Sequence, residues 1–151
     1  MSTPATRGPR SIRFDSEVEA RLARYVARHR DLSASAAVNR FVDEALRMDE
    51  HPGIVFRDGP TGRRAGLLAG PDVWELVRAL RHVRAAEPAL GQADVVGRVA
   101  EQAGTSPVRV QIAIDYWSHH AAEVDAEVAD AERAEDEALK AWERSRTLLA
   151  R

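Results

Sequence analysis

The residues best suited to chemistry lie near the N-terminus. Arg10-Ser11-Ile12-Arg13-Phe14 alternates polar and apolar types, and in an extended chain that alternation separates Ser11 and Arg13 on one face from Ile12 and Phe14 on the other. The segment is too short for an independent hairpin, and nothing ahead of it supplies a partner strand, so it needs another chain. Two copies paired antiparallel would turn Ile12 and Phe14 toward helices and project Ser11 and Arg13 outward. Such a ribbon has the width to enter a DNA major groove, where Arg reads guanine and Ser contacts several bases. Catalytic chemistry finds little support. The chain has no cysteine, which removes thiolate nucleophiles, disulfides and cysteine-ligated zinc together and suits a reducing cytoplasm. His119 and His120 are adjacent on a helix, about 100° apart, and His29, His51 and His82 show no ligand spacing, so all read as surface or capping groups. No metal and no cofactor is expected. The glycine-rich run GPTGRRAG lacks the Gly-Lys-Ser/Thr ending of a phosphate loop, which excludes nucleotide hydrolysis. No Ser-His-Asp arrangement can be argued, and the protein is not read as an enzyme.

The elements that must position these side chains are helical. The 151 residues fit one domain or two very small ones. Hydrophobic residues make up 44%, but 27 of them are alanine, so the core will be thin. Few aromatics and abundant Glu, Arg and Ala favour helices over sheets. Asp15 reads as an N-cap, and Val18, Leu22, Tyr25 and Val26 follow at helical spacing, giving a first helix over about 16–29. Asp31 breaks it. Ser33 or Ser35 caps a second helix whose inner stripe is Val38, Phe41, Val42, Ala45 and Leu46. Fifty residues cannot bury a sufficient core alone, since even a domain of about 60 covers only about 60% of its unfolded surface. Dimerisation through residues 10–46 follows.

After Met48 the pattern changes. His51-Pro52-Gly53 is a break, Ile54–Arg57 reads as a short strand, residues 58–62 as its turn and 63–68 as a return strand. Arg57, Arg63 and Arg64 on this hairpin could touch a DNA backbone as a wing does, or be solvated. Pro71 and Asp72 open a third helix with Val73, Leu76, Val77, Leu80 and Val83 inward and Trp74 as an anchor. A fourth helix runs over about 92–103, closed by Gly104, and Ser106-Pro107 opens a fifth. Val99-Ala100, Ala103-Gly104 and Val110 have the spacing of a helix-turn-helix, although any tight helical corner needs similar residues. If this corner reads DNA, Arg109 and Gln111 are its exposed candidates.

From Val110 a four-three repeat continues through Ile114, Trp117, Ala121, Val124, Val128 and Ala131, then Ala138, Trp142 and Leu149, failing at Glu135. That is the period of a helix seeking a partner along one seam; the alternative is a solvated helix fraying after about Asp130. The net charge of -2 conceals a basic head and an acidic tail. Seven arginines face three acids in residues 1–30, whereas nine acids face five bases in 121–151. Such an arrangement fits either two partners, one of them a polyanion, or two solvated surfaces.

Residues 9–48, through the strand RSIRF and the helix starts DSEVEARL and DLSASAAVNRF, resemble the ribbon-helix-helix superfamily of the Arc, MetJ and CopG repressors. The resemblance implies base contact by Ser11 and Arg13, and phosphate contact at the start of the second helix, where Ser33, Ala34 and Ser35 place backbone N–H groups and hydroxyls. Arg10 and Arg40 join this DNA-facing set. Two departures stand out: Pro9 occupies a place where such families often put a third groove-reading polar residue, and Arg10 replaces an apolar one. The readout is then narrower or the strand shorter. Residues 51–151, through HPGIVFRDGPTGRRAGLLAGPDVWEL and IAIDYWSHHAAEVDAEV, resemble the second domain of a group of actinobacterial antitoxins. That resemblance implies a C-terminal region wrapping a PIN-domain ribonuclease toxin. Trp142, Arg144, Arg146 and Leu149 would cover the toxin, arginines being suited to an acidic, metal-binding active site.

The expected fold is mainly α. An N-terminal ribbon-helix-helix (1–50) pairs its strands between two chains, a small helical domain with a β-hairpin and a helix-turn-helix-like corner (51–106) follows, and a long C-terminal helix (107–151) binds a partner or forms a coiled coil. The expected function is a sequence-specific, homodimeric repressor that binds double-stranded DNA and autoregulates as the antitoxin of a toxin-antitoxin pair. The alternative is a free-standing regulator or an architectural DNA-coating protein without a toxin. No apolar run approaches the roughly 20 residues of a membrane span and the N-terminus lacks the apolar core of a signal peptide, so a cytoplasmic, nucleoid-associated protein is expected.

Overall fold

The computed structural model describes residues 11–60 and 62–149, with the side chain of Leu149 left out. Among these residues the protein is mainly helical, with six helices and one two-stranded antiparallel sheet. The chain divides into two units, Met1–Asp43 and Glu44–Arg151.

In the first unit, residues 11–15 carry no regular secondary structure. Helix α1 spans Ser16–Arg28 behind an extended Asp15 (φ -63°, ψ 148°), with Glu17 and Glu19 in its first turn and Arg28 in its last, as the helix dipole favours. Its end is finished by His29, whose ring stacks on Tyr25 at 4.1 Å and whose Nδ1 lies 2.9 Å from the Tyr25 carbonyl oxygen. Helix α2, Ala34–Glu50, starts at this unit's second half, and the Ser33 hydroxyl caps it by accepting the Ala36 N–H at 3.1 Å. Asp15 holds the N-cap position of α1 without a side-chain capping bond, whereas Ser33 makes one. No residue of α1 is buried, and among the unit's described residues Ala37 alone is fully covered.

The second unit is built differently. Strands β1 (Ile54–Gly59) and β2 (Gly62–Leu67) pair from Ile54 opposite Leu67 to Gly59 opposite Gly62. Gly53, at φ +101°, admits the chain into β1 where an added Cβ would stand 3.2 Å from Ile112. Helix α3 (Val73–Ala86) begins with a capping box in which the Glu75 carboxylate accepts the Asp72 N–H at 2.8 Å. It buries Val73, Leu76, Val77 and Val83, while Leu80 is only half-buried. Helix α4 (Gln92–Gln102) ends at Gly104, whose left-handed φ of +61° lets the Thr105 N–H reach back to the Ala100 carbonyl at 2.9 Å. Helix α5 (Pro107–His119) is capped by Ser106 and carries its proline in the first turn.

The single helix expected from 107 onward is corrected here. Backbone regularity fails at His120 (φ -128°, ψ 34°), whose N–H is shared between the Tyr116 and Trp117 carbonyls, and α6 starts afresh as Ala121–Leu149. The break lets Val124 and Val128 join Val110, Ala113 and Tyr116 in one apolar cluster with Ile54, Leu67, Leu76 and Val99. The first part of the heptad seam is therefore core of this unit rather than a surface awaiting a partner helix. Beyond Ala131 every described side chain of α6 is exposed, and the helix extends to Leu149. Among the described residues no helix is long and apolar enough to cross a membrane.

Candidate nucleic-acid interface

The first unit exposes its apolar stripe. Val18, Leu22 and Tyr25 of α1 face Val38, Phe41 and Val42 of α2 around an open cavity of about 570 Å³, with Phe14 at one side and Arg21, Arg24 and Arg28 among its lining. Ile12 is 65% exposed and Val42 50%. Apolar side chains at this density are normally covered, at roughly 1.5–3 kcal/mol for each large one removed from water. The hairpin keeps its own geometry through Tyr25, which meets Phe41 edge to face at 4.9 Å and whose hydroxyl accepts a short hydrogen bond from Arg40 Nη2. Arg40 also lies over the Phe41 ring at 5.3 Å. This guanidinium braces α1 against α2.

Ser11 and Arg13 are exposed, next to the apolar Ile12 and Phe14. Arg10 lies outside the described residues. Ser33 and Ser35 sit, exposed, at the start of α2, although the Ser33 oxygen already accepts the capping bond and its O–H is what remains to donate. The N–H groups of a first helical turn have no intrahelical partner, so this end of α2 retains donors for an anion.

The second proposed set behaves otherwise. Arg57 donates to Asp72 Oδ1 at 2.7 Å, to the Gly70 carbonyl at 2.7 Å and to the Leu67 carbonyl at 3.4 Å. Arg63 grips Glu44 with two hydrogen bonds of 2.5 and 2.8 Å, and that carboxylate raises its pKa above the ordinary arginine value. Arg64 is 9% exposed, lies over Trp74 at 5.8 Å and has Nε 3.4 Å from Asp72 Oδ2. These three cross-link the hairpin to its surroundings, so the wing-like contact is not supported by their placement. At the α4–α5 corner Val99, Ala100 and Val110 are buried as the spacing demands. Arg109 Nη1 donates to the Ala69 carbonyl at 3.1 Å, tying the corner to the turn after β2, while Gln111 is exposed.

The acidic stretch also divides. Glu123 takes two hydrogen bonds from Arg47 Nη1 (2.8 and 3.0 Å), and the same nitrogen donates to the buried Tyr116 hydroxyl at 3.0 Å. Burial pushes the Tyr116 hydroxyl up to about 12. Burial alone would lower Arg47, but its bonds to Glu123 and Tyr116 outweigh that and raise it. Asp125 accepts from Trp117 Nε1 at 2.8 Å and from Arg81 at 2.6 Å, and these bonds hold its carboxyl below the usual range. Glu127 is pushed up to about 7 by burial and then by the neighbouring Glu123 carboxylate. The rest of the acidic run faces solvent. Trp142, Arg144 and Arg146 are exposed, with Arg146 stacked over Trp142 at 4.8 Å.

No family model, curated protein or solved structure matches the chain.

Proposed function

We propose that the protein is a homodimeric, sequence-specific DNA-binding repressor of the ribbon-helix-helix type. The observation that carries this reading is the uncovered apolar face of the first unit, lined by Val18, Leu22, Val38, Phe41 and Val42 beside the alternating Ser11–Phe14 segment. A second copy supplies what that face lacks. In the pair, residues 11–14 of both chains form the ribbon, Ile12 and Phe14 close the apolar face, and Arg13 and Ser11 reach base edges. The exposed start of α2, with Ser33 and Ser35, suits phosphate positioning on either side.

Binding-site selection with the native protein and Arg13→Ala tests the reading. The native protein should enrich a palindrome, with affinity falling steeply as salt rises. Arg13→Ala should lose about 1–3 kcal/mol at one base position of each half-site. An unchanged sequence preference in the variant would refute the ribbon.

A second reading, that the repressor is also an antitoxin, is favoured by the far end of α6. Leu139 is 53%, Trp142 54% and Leu148 82% exposed on a helix that continues well past the core. Such side chains along one projecting helix suit a protein partner, with Arg144 and Arg146 available for an acidic pocket. Co-expression with the product of the adjacent gene, scored for complex formation and rescue of growth, distinguishes an antitoxin from a free-standing regulator.

A further inference from the structure

We propose that His51, Asp115 and His119 form a binding site for a divalent transition-metal cation such as Zn2+. Each offers one ligand atom, and these atoms all lie within 4.8 Å of one another. The sequence holds them far apart, but the fold of the second unit brings the residue that follows α2 against the last turns of α5.

The site is anchored by its buried member. His51 is 6% exposed, its N–H bonded to the Arg47 carbonyl at 2.9 Å and its own carbonyl accepting the Ile54 N–H at 3.1 Å. Its ring meets Tyr116 edge to face at 5.2 Å. Asp115 and His119 stand four residues apart on α5, which puts both on one helix face. His51 Nδ1 lies 3.2 Å from Asp115 Oδ2. That contact is a hydrogen bond; a tetrahedral ion with bonds of about 2.0–2.2 Å spaces its ligand atoms about 3.4 Å apart, so the ion would displace the bond's proton with little movement of the pair. The His119 ring, centred 5.2 Å from that of His51, is oriented by its Nδ1, which lies 3.0 Å from the Asp115 carbonyl oxygen and 3.2 Å from Ser118 Oγ. Backbone carbonyls orient metal-ligating histidines in this way. Asp115 and His119 are exposed and can close the remaining distance by small side-chain adjustments.

The donor set selects the ion. Two imidazoles and one carboxylate suit Zn2+, Ni2+ or Cu2+ and are a poor match for Mg2+ or Ca2+, which prefer oxygen throughout. Three protein ligands leave a fourth position. Two of the three, His51 and Asp115, also line an open cavity of about 410 Å³ with Pro52, Val108, Gln111 and Ile112, from which water or an incoming donor would complete the shell. Bound there, the ion would fasten the junction of α2 and β1 to the end of α5 and stabilise the second unit in proportion to its occupancy.

Zn2+ titration of the untagged, chelator-treated full-length protein, followed by calorimetry and by thermal unfolding, tests this. The native chain should take up one ion with a micromolar dissociation constant and unfold at higher temperature when loaded. Co2+ in place of Zn2+ should give the intense visible absorption of a tetrahedral site. His119→Ala and Asp115→Asn alter exposed side chains, should unfold like the native protein without metal, and should each weaken Zn2+ at least tenfold. His82→Ala, at an exposed histidine elsewhere on this unit, should bind as the native protein does. No uptake by the native chain, native affinity in His119→Ala, or an equal loss in His82→Ala would each overturn the site.

Discussion

The two units solve the same problem, too little apolar surface in a charged chain, in opposite ways. The second closes a core of small aliphatic side chains around Tyr116 and surrounds it with arginine-carboxylate cross-links. The first leaves its stripe open and has Ala37 as its one fully buried described residue. An open stripe depends on what covers it. The contrast extends to the arginines: Arg57, Arg63 and Arg64 are held by internal partners, whereas Arg13 is exposed.

Substitutions should separate the units in order of effect. Leu76 is 1% exposed at the centre of the second core, and Leu76→Ala should cost about 3–4 kcal/mol in urea unfolding, independent of protein concentration. The corresponding change in the first unit, Phe41→Ala, should act chiefly through association, making the transition depend on concentration at levels where the native protein's does not. Asp72→Ala removes the carboxylate that faces both Arg57 and Arg64. Because Arg64 is nearly covered, this should cost about 2–3 kcal/mol, and loss of the hairpin's amide protection in hydrogen exchange would localise it.

Glu127 should give a smaller effect with a defined pH window. Its carboxyl is raised from 4.5 to about 7, so folding favours the protonated form. The stability it contributes is complete below the ordinary glutamate range and is lost as pH rises through about 7. Glu127→Gln should flatten that slope in melting curves and exceed the native protein by about 1 kcal/mol at mildly alkaline pH, the full shift being screened by remaining solvent contact. Last, Glu135 pairs with Arg78 at 2.6 Å on the surface. Glu135→Ala should cost no more than about 0.5 kcal/mol, and less in high salt; a larger loss would mean that the outer part of α6 belongs to the core.

Much of this division was legible in the sequence wherever the signal was local. Asp15, Ser33, Asp72, Gly104 and Ser106 mark helix ends because capping involves only neighbouring residues, and the observed ends fall beside them. The break at His120 was hidden because the seam repeat continues through it: side-chain period records which residues face inward, not whether the backbone stays helical between them. The arginines of the hairpin read as free cations because their partners are distant, Glu44 lying 19 residues before Arg63. His51 and Asp115 are separated by 64 residues and share no motif. The Asp115–His119 spacing of four was the one local hint of a ligand pair. The proposed ribbon is the extreme case: residues 11–15 carry no regular secondary structure in one chain, its hydrogen bonds would lie between two chains, and the alternation in residues 10–14 is the trace that suggests it.

Sedimentation equilibrium of the full-length protein, run beside Val42→Asp, tests the open face most directly. Two chains per particle at micromolar concentration, reduced to one by a charge placed at Val42 while the helical content is retained, is the predicted result. A native protein that sediments as one folded chain, or a Val42→Asp variant that remains dimeric, would contradict the account.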